Sequence, residues 1–89
     1  MKTVLLVEDD PARLIAFSMI LQSRGYAVLE AASPDEAIAA CRAHAASIQF
    51  LLTDFRLNVN GGVKLAQRLQ ALSPSMRILR LSSLTEGPL

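Results

Sequence analysis

Val4-Leu5-Leu6-Val7-Glu8-Asp9-Asp10-Pro11 opens the chain with four apolar residues, three acids and a proline. A short continuous apolar run is the pattern of a strand buried on both faces of a parallel sheet. Asp10-Pro11 then reads as a helix start, with Asp as the cap and Pro suited to the first turn. The same grammar recurs downstream. Ile48 to Thr53 is a second strongly apolar strand candidate, and Asp54 follows it directly. If the two strands are parallel neighbours, their terminal acids converge at one sheet edge, where open α/β sheets place their ligand sites.

Working outward, Leu14, Phe17 and Leu21 recur at helical spacing until Gly25 stops the helix. Tyr26 to Ala31 is the next strand. Ser33-Pro34-Asp35-Glu36 is a capping box, and Ala37, Ile38, Cys41 and Ala45 form the apolar face of the helix behind it. After Asp54, the segment Asn58 to Gly62 reads as a turn, and Leu65, Leu69 and Leu72 define a third helix closed by Ser73-Pro74. Ile78 to Leu81 is the last strand, leading into Ser82-Ser83. Strands and helices alternate with no hairpin signal, which predicts βαβ crossovers and a parallel sheet. On such a sheet, the loops after the first, third and fourth strands open on one side, so Glu8, Asp9, Asp54 and Ser82 would gather there.

Composition narrows the options. The 89 residues form one small domain at most. Hydrophobic residues make up 52% and aromatics 4% of the chain, so the core must be aliphatic. A formal net charge of +1, with no basic run, gives no signal for direct nucleic-acid or membrane binding. A lone Cys41 rules out an intramolecular disulfide and fits a cytoplasmic setting, with the thiol in the core. No apolar run approaches the ~18 residues of a membrane span, and the N-terminus has no signal-peptide pattern. His44 falls near the end of the second helix, where a solvated imidazole is favoured by the helix dipole.

Carboxylates gathered at a strand edge repel one another unless a proton or a cation neutralises them. An oxygen-rich site of this kind suits Mg²⁺, and a carboxylate can act as a nucleophile toward phosphorus. Asp54, alone on its loop, is the candidate nucleophile, and Ser82 is a candidate donor to a phosphoryl oxygen.

The ordered set resembles the receiver domain of two-component response regulators. Val4 to Asp10 is similar to its first strand and acidic pair, and Leu51-Leu52-Thr53-Asp54-Phe55-Arg56-Leu57 to its phosphoacceptor segment. Gly62 is similar to the glycine opening its third helix, and Ile78 to Ser83 to its fourth strand and switch hydroxyl. The resemblance implies a flavodoxin-like, CheY-like open sheet of strand order 2-1-3-4. It also implies that Asp54 accepts a phosphoryl group from a sensor histidine kinase or phosphotransfer protein. Mg²⁺ would be held by Glu8, Asp9, Asp54 and the backbone carbonyl of Arg56, with Ser82 as the switch residue. Such a domain is a cytoplasmic signalling switch and not an enzyme, beyond assisting its own phosphorylation and dephosphorylation.

Asn58 stands where the family usually has proline, and Ser83 where it usually has alanine. The resemblance runs from about residue 3 to 83, and it implies that residues 1–89 are one receiver domain truncated after its fourth strand, without the fifth strand, the last helices and the lysine that pairs with the phosphoryl group. Neither Lys2 nor Lys64 can replace that lysine. Arg80 fits an exposed edge strand, and the bare fourth-strand edge predicts a homo-oligomer. A phosphorylation-independent receiver-like interaction or oligomerisation module is the alternative function. A phosphatase-type hydrolase ranks lowest, because Glu8 stands where its nucleophilic Asp would be.

Overall fold

The computed structural model describes residues 2–53 and 61–80. Within them the order is β1 (Thr3–Val7), α1 (Pro11–Ser23), β2 (Ala27–Ala31), α2 (Pro34–His44), β3 (Ile48–Thr53), α3 (Gly61–Leu72) and β4 (Arg77–Arg80). The strands form one parallel sheet of order β2-β1-β3-β4, as the resemblance implies. Because every pair is parallel, all four strands end on one edge.

Alternation along β1 sorts its side chains between two apolar layers. Leu5 and Val7 join Ala37, Ile38 and Cys41 of α2 and Leu65, Ala66 and Leu69 of α3 in the larger core. Val4 and Leu6 face the other way, onto Leu14, Phe17 and Leu21 of α1, with Leu52 beside them. Cys41 is fully buried, as its helical position predicts, and desolvation raises its thiol pKa. Met76, 1% exposed, fills the larger core from the turn before β4.

Local chemistry sets the element ends. Asp10 caps α1 from an extended backbone, its carboxylate accepting from the Ala12 amide at 3.2 Å. Gly25, at φ 90°, takes the left-handed conformation after α1, where a side chain would be strained. Ser33 caps α2 through the Glu36 amide at 3.2 Å, while Glu36 reaches back to the amide of Ala32 at 3.1 Å. The reciprocal half of the capping box therefore falls one residue before the cap.

Three boundaries differ from the sequence reading. Tyr26 lies just outside β2 and sets its ring edge-on to Phe50, at 6.2 Å between centroids. Gly61 and Gly62 belong to α3 instead of a preceding turn. The apolar face of Leu65, Ala66 and Leu69 extends the helix back to a first turn whose amides lack intrahelical acceptors in any case. β4 begins at Arg77, which pairs in register with Phe50, and Leu81 lies outside the described residues.

Among the described residues, the α1 side of β3 and β4 is partly open. Val4, Leu21, Tyr26, Phe50, Leu52 and Leu79 line an open apolar groove there, and Leu79 is 46% exposed.

Candidate functional site

The strand ends bring the site together. Val7 pairs with Ala31 of β2 on one side and with Thr53 of β3 on the other, and Thr53 pairs with Arg80 of β4. Glu8 continues directly from β1, its amide donating to the Ala31 carbonyl at 3.0 Å. This bond carries the ladder one residue past the strand and draws a carboxylate into the interior.

Glu8 is 1% exposed. Its Oε2 accepts from the Asp10 amide at 3.0 Å, tying the carboxylate to the turn that starts α1. Its Oε1 makes no hydrogen bond, and the Nε of Arg13 stands 3.5 Å away as an ion-pair partner. Burial pushes the Glu8 pKa up, and both a hydrogen bond with Asp9 and the Asp9 charge add to the rise. The Asp10 amide and the Arg13 charge oppose it without cancelling it. A buried acid whose charge is disfavoured and whose oxygen lacks a donor is suited to a cation.

Asp9 is exposed beside Glu8, and Asp10 is exposed and engaged as the helix cap. Asp54, Arg56 and Ser82, the other predicted site residues, lie outside the described residues, as do Asn58 and Ser83. Among the described residues no group of three or more His, Cys, Asp and Glu is placed to hold a metal ion. Glu8 and Asp9 are thus the members of the predicted cation site among the described residues. They fit a hard divalent ion, since both are carboxylates and one presents a buried oxygen without a hydrogen-bond donor.

Two further polar groups border this edge and escaped the sequence reading. Thr53 is fully buried, and its Oγ1 has no hydrogen-bond partner. Its position as the last residue of an apolar strand, just before Asp54, was the available signal. Arg13, in the first turn of α1, is the other, and only the fold shows that it reaches Glu8. His44 is exposed at the end of α2, away from the site edge in the chain order of strand ends.

The comparisons agree with this geometry. The sequence model of the response regulator receiver domain matches residues 4–88. Sensor kinase CckA of Brucella abortus is 33% identical over 84 residues, which cover 94% of this chain and 9% of that protein. A response regulator protein from Burkholderia pseudomallei, whose crystal structure holds a phosphorylated aspartic acid, a calcium ion and citrate, superposes with a TM-score of 0.80 at 31% identity. That superposition covers 90% of this chain and 46% of the other. A CheY-like receiver domain protein from Methanospirillum hungatei JF-1 gives a TM-score of 0.80 at 29% identity, over 98% of this chain and 76% of its own. The chain thus spans less than a tenth of the curated relative and under half of the Burkholderia protein. With the strand order, the acid ending β1 and a family match running nearly end to end in agreement, the chain belongs to the response regulator receiver domain family.

Proposed function

We propose that this receiver domain accepts a phosphoryl group on Asp54 from a sensor histidine kinase or phosphotransfer protein and acts as a switch in a two-component phosphorelay. The observation that carries the reading is Glu8, buried at the C-terminal edge of a parallel sheet with one carboxylate oxygen lacking a hydrogen-bond donor. The phosphorylated aspartic acid of the Burkholderia relative supports the same chemistry.

In the proposed transfer, a carboxylate oxygen of Asp54 forms a bond to phosphorus. The bond from phosphorus to the donor imidazole nitrogen breaks, and its electron pair stays with that nitrogen. Glu8, Asp9, Asp54 and the backbone carbonyl of Arg56 would hold Mg²⁺, with Ser82 donating its hydroxyl to a phosphoryl oxygen. When bound, the cation supplies positive charge to offset that of the phosphoryl oxygens. The Burkholderia structure holds a calcium ion as well as a phosphorylated aspartic acid, which supports a role for a divalent ion. Apart from assisting its own phosphorylation and dephosphorylation, the domain transforms no separate substrate.

The test is incubation with Mg²⁺ and a small phosphodonor, acetyl phosphate or phosphoramidate, followed by intact-mass measurement. The expected result is one phosphoryl adduct, labile to base and absent from Asp54→Asn. No adduct, or an adduct retained in Asp54→Asn, overturns the reading. Partner binding that is unchanged in Asp54→Ala would instead support a phosphorylation-independent interaction module.

Self-association through β4 belongs to the same proposal. β4 is the edge strand of the described sheet, and Leu79 on it is 46% exposed. An edge strand carrying an exposed apolar side chain is a template for pairing. No helix among the described residues is long and apolar enough to cross a membrane. We assign the domain to the cytoplasm, with no direct contact to nucleic acid or membrane.

A further inference from the structure

We propose that Arg13 is a built-in competitor of the divalent cation, neutralising Glu8 in the metal-free protein and giving up that carboxylate oxygen when the site is loaded. The inference rests on the reading of Glu8 as a ligand of the cation. It assigns to Arg13 the setting of affinity, not the making of the site.

The two oxygens of Glu8 have different partners. Oε2 is committed to the Asp10 amide at 3.0 Å, a bond that holds the carboxylate where the chain turns into α1. Oε1 is the available oxygen, since it is buried and makes no hydrogen bond. Among the described residues its ion-pair partner is the Arg13 guanidinium, with Nε at 3.5 Å. At that distance the Nε contact is an ion pair and not a good hydrogen bond. The Arg13 side chain is 40% exposed, against 2% for Glu8. Arg13 thus reaches water from where it stands, while the Glu8 carboxylate does not. A guanidinium left close to a divalent ion would repel it, so both cations are not expected at Oε1 together.

Arg13 is also the sole charged residue of α1, whose sequence is Pro-Ala-Arg-Leu-Ile-Ala-Phe-Ser-Met-Ile-Leu-Gln-Ser. Its release would change the charge presented by the first turn of that helix.

The experiment measures Mg²⁺ and Ca²⁺ binding by titration calorimetry at mildly alkaline pH and low salt, in the wild type, Arg13→Gln, Arg13→Lys and Glu8→Gln. Thermal unfolding of each is followed with and without the ion. Removing one half-exposed positive charge is expected to tighten binding about three- to tenfold in Arg13→Gln, while Arg13→Lys stays near the wild type. The advantage of Arg13→Gln should shrink as salt is raised. Its unfolding temperature should fall without the ion and recover with it.

A purely structural Arg13 would lower the unfolding temperature equally with and without the ion and leave affinity unchanged, which overturns the proposal. Weaker binding in Arg13→Gln overturns it as well. If neither the wild type nor Arg13→Gln binds a divalent ion, the ligand reading of Glu8 fails and this proposal fails with it. Binding that appears only in Arg13→Gln would be the strongest support.

Discussion

Val7 of β1 and Thr53 of β3 are register partners at the last position of their strands. The next residues in the chain are Glu8 and Asp54, so the register of this pair relates the two acids on which the functional reading depends. A slip of one residue would exchange the faces of every β3 side chain and carry Leu51 out of the larger core. The apolar pattern that buries Leu51 and Leu52 on opposite faces therefore also sets the geometry of the site edge. The irregularity in this pair lies at its far end, between Thr3 and Val4. There Gln49 accepts from the Thr3 amide at 2.7 Å through its side chain.

Thr53→Val tests the state of the hydroxyl on the residue that precedes Asp54 in the chain. Thr53 Oγ1 is buried without a hydrogen-bond partner, and such a group carries a desolvation cost that nothing offsets. Replacing it with a methyl group is expected to leave the metal-free protein as stable as the wild type or more stable by up to about 1 kcal/mol. Urea unfolding of the two proteins measures the difference. A loss of stability would show that the hydroxyl has a partner.

Much of this arrangement is legible in the residues alone, for a physical reason. A strand buried on both faces must be continuously apolar, so an acid such as Glu8 directly after Val7 marks where the sheet ends. Caps are equally local, and Asp10 and Ser33 act where their side chains predict. Contacts made by tertiary packing are not legible in this way. Ser18 is 2% exposed on α1 because its hydroxyl donates to Glu30 Oε2 at 2.5 Å across to β2, while Gln22 donates to it at 2.9 Å. Nothing in the local sequence of α1 specifies Glu30. The Arg13 to Glu8 pair has the same character, because it depends on the angle at which α1 leaves the sheet edge. Gly61 and Gly62 mislead in the opposite sense. Their composition favours a turn, but the apolar face beginning at Leu65 recruits them into the helix.

Leu69→Ala and Leu72→Ala together test which face of α3 is docked. Leu69 is fully buried in the larger core, whereas Leu72 is 40% exposed. Truncating a buried leucine costs about 2–5 kcal/mol, which for a domain this small is a large share of its total stability. Leu69→Ala is expected to fall in that range and Leu72→Ala at about 1 kcal/mol or less. Chemical denaturation monitored by circular dichroism separates them. Equal costs would contradict the packing of α3.

Leu79→Lys tests self-association through β4. Leu79 lines the open groove with Phe50 and Leu52 and sits on the edge strand. A lysine at an edge is a common guard against strand pairing, and a 46% exposed position gives its ammonium access to water. The substitution is expected to shift the sedimentation profile toward monomer with little change in unfolding midpoint. A wild type that is strictly monomeric at high concentration, or an assembly unaffected by the lysine, would exclude this edge as the interface.

Glu8→Gln separates the cost of the buried charge from its use. Burial is the largest cause of the raised Glu8 pKa, so the folded protein holds a proton there more readily than the unfolded chain does. In the pH window above the ordinary value of 4.5 and up to the raised one, the folded state binds more protons than the unfolded state. Stability contributed by this group therefore falls as pH rises through that window and is restored as pH drops back through it. The amide of glutamine imitates the protonated acid at every pH and keeps an oxygen available to accept from the Asp10 amide. Glu8→Gln is accordingly expected to be more stable than the metal-free wild type at neutral pH, with the advantage fading as the pH approaches 4.5. Saturating Mg²⁺ should reverse the order at neutral pH, because it stabilises only a protein that binds it. Thermal unfolding across this pH range, with and without Mg²⁺, reads both effects. A Glu8→Gln protein that is less stable at neutral pH without the ion would show that the Arg13 pair outweighs the desolvation of the carboxylate.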